Sequence, residues 1–127
     1  DLDNFGKLHP TVAVRQSNLA NVYGDLGRYE EAAKLLEAAL QSDLDNFGKL
    51  HPTVAIRYNN LAWVKLEQEQ YQVAVEYFVQ AYTIFQEQLG AKHPNSRTVL
   101  NSLNQALQKG ATAGDDYCRE MLAKMEE

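Results

Sequence analysis

Three histidines stand at even intervals, His9, His51 and His93, and each is followed directly by proline. Histidine is the commonest metal ligand, so such a ladder raises metal binding first. The interval argues against a shared ion. Successive copies are 42 residues apart, and one layer of stacked helices separates them by roughly 10 Å, whereas a zinc–nitrogen bond is about 2 Å. The expected role is that of a turn residue fixing the entry to a helix. Catalytic chemistry finds no better footing. The chain has no glycine-rich phosphate loop, no nucleophile elbow and no Cys-x-x-Cys. Its acidic residues are scattered rather than paired. No catalytic residue, metal site or cofactor is therefore expected, and the chain reads as non-enzymatic. The lone Cys118 cannot form an internal disulfide. It is expected as a buried structural thiol, and a reduced, cytoplasmic setting is the simplest fit.

The remaining residues able to recognise something are amides and one indole. Asn18 and Asn21 are three apart, as are Asn60 and Trp63, so each pair shares one face of a helix. An amide both donates and accepts hydrogen bonds, and can pair with the backbone of an extended peptide whatever its side chains. Tryptophan dominates binding hot spots, so Trp63, if exposed, is a natural anchor. The alternatives are a solvated polar face for the amides and a core position for Trp63. Arg15 and Arg57 lie one step round from this face. Either could hold a ligand carboxylate, or could pair with an acidic residue of an adjacent unit, which is the more usual role.

These residues must be positioned by a repeated scaffold. The stretch DLDNFGKLHPTVA at residues 1–13 returns unchanged at 43–55, and the His-Pro at 93–94 opens a partial third copy. Self-similarity at such a period signals a solenoid whose units bury their apolar faces only against one another. Proline suits the first turn of a helix, so helices are expected from about Pro10, Pro52 and Pro94. The first breaks at Gly27. The second runs from about Tyr29 to Phe47, with Ala32, Ala33, Leu36, Ala39 and Leu40 in its apolar stripe. The second unit repeats this from Pro52 to Gln68 and from Tyr71 to Leu89. Its turn has Glu69 where the first has Gly27, so a left-handed turn there would cost about 1 kcal/mol. The third unit is degenerate: a helix from Pro94 to Lys109, a loose connection over residues 110–114, Asp115 as N-cap, and a capping helix to about Met125. Residues 1–6 read as the end of a preceding helix, as if the chain belonged to a longer array. The whole is expected as one all-α domain of about three units, at residues 9–48, 51–90 and 93–127.

These residues resemble the tetratricopeptide repeat. Leu19-Ala20, Tyr23, Gly27, Tyr29, Ala32, Leu36 and Ala39 fall at that family's spacing, as do Leu61-Ala62, Tyr71, Ala74, Phe78 and Ala81. The 42-residue period, the Asn-Leu-Ala triplets at 18–20 and 60–62 and the His-Pro openings are similar to repeats of the kinesin-light-chain type. The resemblance implies an antiparallel helix-pair solenoid, a right-handed superhelix whose first helices (A) line a peptide-binding groove. Carried over residue by residue, the groove positions are Val14, Ser17, Asn18, Asn21 and Asp25 in the first A helix. In the second they are Ile56, Asn59, Asn60, Trp63 and Glu67, and in the third Thr98, Asn101, Ser102, Gln105 and Lys109. The period aligns Ser102, not Asn101, with Asn18 and Asn60.

Asn18, Asn21, Arg57, Asn60, Trp63 and Asn101 are accordingly the candidate binding residues. The implied partner is a protein or peptide. Arg57 and Lys109 would favour a modestly acidic ligand, while Asp25 and Glu67 pull the other way. Self-association through repeat ends is the alternative, because identical joints make identical interfaces. A net charge of −5 and a pI near 5.2 argue against nucleic acid, which needs a clustered basic face. No apolar run approaches the roughly 18 residues of a membrane span, so membrane insertion is not expected.

Overall fold

The computed structural model describes residues 9–125, which form six α-helices and no strand. They are α1 (Pro10–Asp25), α2 (Tyr29–Phe47), α3 (Pro52–Glu67), α4 (Tyr71–Leu89), α5 (Pro94–Thr112) and α6 (Asp116–Met125). Each helix packs mainly on the next in sequence, with a lesser contact of α4 on α6. This is the helix-pair solenoid. The helix-tail reading of residues 1–6 lies outside the described residues.

The histidine ladder has a structural explanation. At each A helix the imidazole Nδ1 accepts a hydrogen bond from the backbone N–H two residues on: Thr11 at 3.1 Å, Thr53 at 3.0 Å and Asn95 at 3.0 Å. Proline follows at the first helical position, where its missing N–H is no loss. His and Pro thus satisfy, or remove, two of the donors that every helix start leaves orphaned. The His51 ring also stacks on Phe47, with centroids 4.5 Å apart, which ties the joint between α2 and α3.

The turns within the helix pairs share one hydrogen-bond pattern. Arg28 N–H donates to the Tyr23 carbonyl at 2.8 Å and Gly27 N–H to that of Gly24 at 3.0 Å. Gln70 to Lys65 (2.9 Å) with Glu69 to Leu66 (3.0 Å) repeats it, as does Asp115 to Gly110 (2.9 Å) with Gly114 to Ala111 (3.1 Å). The pattern needs a left-handed residue. Gly27 (φ 77°), Glu69 (φ 61°) and Gly114 (φ 96°) provide it. The second hairpin is therefore as tight as the first, despite lacking glycine.

The third unit departs from expectation. The connection expected over residues 110–114 does not begin at Gly110. The helix continues to Thr112 and turns at Ala113-Gly114. Gly110 is buried inside α5 because α6 and α4 press on it: a Cβ there would overlap Cys118 and come within 3.2 Å of the Tyr71 Cβ. What the sequence offers as a breaker is a point of close approach. Asp115 does cap α6, its Oδ1 accepting from Cys118 N–H at 2.9 Å. Cys118 is fully buried. Burial, with the hydrogen bond to Asp115, pushes its thiol up to about 11, so it is protonated and unreactive near neutrality.

The core runs along the stack in two clusters. One gathers Ala20, Ala32, Ala33, Leu36, Leu61 and Val64; the larger spans α3 to α6 around Phe78, Leu66, Val54 and Leu107. Ala20, Ala32, Ala62 and Ala74 are all buried at helix crossings, where a small side chain allows close approach.

Candidate functional site

Ile56, Asn59, Asn60, Trp63 and Glu67 recur at three- and four-residue steps, so they share one stripe of α3. The stripe faces two cavities. Towards its C-terminal end, Gly24, Asp25, Tyr29, Trp63, Val64 and Glu67 line an open cavity of about 340 Å³ between α1 and α3. Towards its N-terminal end, Ile56, Asn59, Phe85, Asn95, Thr98 and Val99 line an open cavity of about 210 Å³ between α3 and α5.

Trp63 is half-buried. Its indole meets Phe78 in a T-shaped contact, centroids 5.4 Å apart at 83°, while the ring also forms a wall of the larger cavity. Trp63 thus packs on Phe78 and also lines the cavity. Tyr29 Oη donates to Glu67 Oε2 at 3.5 Å, and Lys109 Nζ lies 4.0 Å from Glu67 Oε1.

The amides divide. Asn18, Asn21 and Asn101 are exposed. Asn60 is half-buried, and its Nδ2 makes a long 3.5 Å contact to the buried Ser17 hydroxyl. Ser102, the residue in register with Asn60, is buried and donates to the Thr98 carbonyl of its own helix at 3.1 Å. Asn101 is thus one of several exposed amides of α5, with Asn95, Gln105 and Gln108. Asn59 carries a buried Oδ1 that has no hydrogen-bond partner, at the lining of the smaller cavity.

Arg57 is corrected as a binding residue. Its side chain is buried, and its Nε lies 2.7 Å from Asp43 Oδ2 in an ion pair. Nη1 also approaches the Ser17 hydroxyl at 3.5 Å. Burial pushes the Asp43 carboxyl above its ordinary range, and the guanidinium opposes that shift. A residue so held cannot reach a ligand. With Arg57 withdrawn and Lys109 beside Glu67, the basis for an acidic ligand is gone.

Tyr29, Phe85 and Asn95 escape the sequence argument because they lie outside the inner A-helix positions. Tyr29 opens α2, Phe85 lies near the end of α4 and Asn95 opens α5. The proximity of each cavity to a turn is the signal that could have found them. Among the described residues no group of three or more His, Cys, Asp or Glu could hold a metal ion, and no helix is long and apolar enough to cross a membrane.

Residues 11–87, more than half the chain, match the tetratricopeptide repeat family, and the chain belongs to it. Repeats of this family generally serve as protein-interaction or scaffold modules. Solved structures carry the likeness further. BtubC (BKLC) from P. vanneervenii is 25% identical with a TM-score of 0.72, over 84% of this chain and 45% of that one. A Podosopora anserina protein described as a kinesin light chain with nearly identical TPR-like repeats is 26% identical with a TM-score of 0.70, over 93% of this chain and 55% of that one. The chain thus spans about half the length of these structures. No curated protein matches it.

Proposed function

We propose that the chain is a non-enzymatic binding module that holds a short extended peptide along the A-helix face. The observation that carries this is the setting of Trp63: a ring braced on Phe78, open to a cavity, with Asn21 and Asn60 at hand on neighbouring A helices. Braced aromatics make good anchors because little freedom is lost on binding. Exposed amides supply backbone hydrogen bonds without demanding a particular side chain. The test is a peptide-array screen followed by titration of the hits, read by Trp63 fluorescence. The emission is expected to shift on saturation and the chain to stay monomeric. An array with no hits and an unmoved emission would overturn the proposal.

A second reading, end-to-end stacking, is favoured by one comparison within the molecule. Arg57, Leu61 and Val64 form a stripe on α3 that is buried, and the α2 residues Leu36 and Leu40 pack there. Their counterparts one period earlier, Arg15, Leu19 and Val22, are exposed on α1, Leu19 at 45% and Val22 at 52%. The same surface is covered in one unit and open in the other. A second helix pair of the same kind fits it. Sedimentation against concentration tests this: association abolished by Val22→Glu supports stacking, and a concentration-independent monomer refutes it.

A further inference from the structure

The larger cavity has a chemistry of its own. Its walls are aromatic and aliphatic, Trp63, Tyr29 and Val64, and its polar lining is two carboxylates, Asp25 and Glu67. These are the last residues of α1 and α3, so each carboxylate stands at the partially negative end of a helix. The last turn of α1 holds no basic residue. Lys65, in the last turn of α3, is two residues from Glu67 and so does not share its face. Arg28, at the neighbouring turn, is paired with Glu31 and lies over the Tyr23 ring.

One cation does approach. Lys109 Nζ is 4.0 Å from Glu67 Oε1, and both side chains are about half exposed; such a pair is weak in water. Asp25 has no ion pair among the described residues. Glu67 therefore has one weakly held lysine and a long hydrogen bond from the Tyr29 hydroxyl, and Asp25 has no cation, beside aromatic faces that attract cations. The smaller cavity on the same α3 stripe differs. It has no charged residue, and Ile56, Phe85 and Val99 give it apolar walls.

We propose that the cavity at Asp25, Tyr29, Trp63 and Glu67 receives a lysine or arginine side chain of the bound peptide, and that the cavity at Ile56 and Asn59 receives an apolar side chain of the same peptide. This deepens the peptide-binding reading and rests on it. The spacing follows from geometry. The two sets of α3 residues are about 11 Å apart along the helix axis at 1.5 Å per residue. The cavities also lie on opposite sides of α3, which adds a lateral step of about 10 Å between neighbouring A helices. The resulting separation of about 15 Å corresponds to about four or five residues of extended peptide.

The experiment is an array of nine-residue Ser/Ala peptides. Each carries one leucine and, two to seven positions away, an arginine, a norleucine or a glutamate. Each peptide is titrated against the whole chain and against D25N/E67Q. Arginine peptides at a spacing of four or five are expected to bind about ten-fold tighter than their norleucine counterparts. That preference is expected to fall to about two-fold or less in D25N/E67Q, and to shrink with added salt. Binding with no preference for arginine, or a preference unchanged in D25N/E67Q, overturns the basic subsite and leaves the peptide-binding proposal standing. No binding by any member, with Trp63 emission unmoved, overturns both.

Discussion

Arg57 Nε lies 2.7 Å from Asp43 Oδ2, and both side chains are almost wholly withdrawn from water at the joint between α2 and α3. One period further on, the corresponding positions are Phe85 and Val99, both buried in the larger core cluster. The same joint is thus built once from charges and once from hydrocarbon. A buried ion pair sets a large desolvation cost against a large attraction, and losing one partner strands the other. Asp43→Ala is therefore expected to destabilise the fold by about 3–5 kcal/mol. The double change Asp43→Phe with Arg57→Val is expected to recover most of that loss. Urea denaturation of the two singles and the double checks this. A double variant no more stable than the worse single would show that the pair has a structural role hydrocarbon cannot fill.

Much of this architecture is legible in the sequence, because repetition supplies independent statements of the same rule. Pro10, Pro52 and Pro94 mark three helix starts, and Tyr29 and Tyr71 open α2 and α4 where expected. What escapes is whatever depends on a neighbour in space. Gly110 reads as a breaker by type, yet it lies inside α5, and it is a glycine there because Cys118 occupies the room a side chain would need. Arg57 stands one period after Arg15, and only the approach of α2 decides that it is buried. Within the candidate site, the A-helix residues can be listed from the period, but Tyr29 and Phe85 enter from other helices, and no periodicity predicts that.

Gly110 supports a prediction in which two effects oppose each other. Alanine is the better helix former by about 1 kcal/mol. The added methyl, however, overlaps Cys118 and lies 3.2 Å from the Tyr71 Cβ. Gly110→Ala is expected to destabilise by about 1–3 kcal/mol, and Ala74→Leu, at another tight crossing, by a similar amount. Both are read from the denaturation midpoint. A stabilised Gly110→Ala would mean that α6 can move away freely.

Glu69 gives the opposite sign. It holds φ at 61° in a turn where its counterparts are glycines. An L side chain in that region costs about 1 kcal/mol or more. Glu69→Gly is expected to raise stability by about that amount, offset in part by the greater freedom of glycine in the unfolded chain. Thermal denaturation should show an upward shift. A fall would indicate that the Glu69 side chain contributes an interaction outweighing its strain.

Cys118 sets the alkaline limit. Its thiol is raised from an ordinary 9.0 to about 11 in the fold. The folded state therefore holds the proton more tightly than the unfolded state. The neutral thiol's contribution is fully present below about pH 9 and is lost as pH rises towards 11. Tyr71, Tyr77 and Tyr117 are shifted upward by burial too, and act with the same sign above their ordinary value. Stability is expected to fall through this window, and Cys118→Ala to flatten the slope. Denaturation midpoints from pH 8 upward check the sign.

The amides make the closing prediction, and the structure ranks them. Asn60 is half-buried and makes only a 3.5 Å contact to Ser17, so its hydrogen-bonding capacity is largely unspent. It sits on the α3 stripe between the two cavities. An extended ligand spanning both must pass over it. Asn101 is exposed on α5 and lines neither cavity. Asn60→Ala is therefore expected to weaken peptide binding by about 1 kcal/mol, the usual worth of one hydrogen bond. The denaturation midpoint should scarcely move, because a long contact at a half-buried site contributes little. Asn101→Ala is expected to have the smaller effect. Calorimetric titration of both variants with the tightest array peptide decides the ranking. If Asn101→Ala cost more than Asn60→Ala, the ligand would follow α5 rather than cross α3.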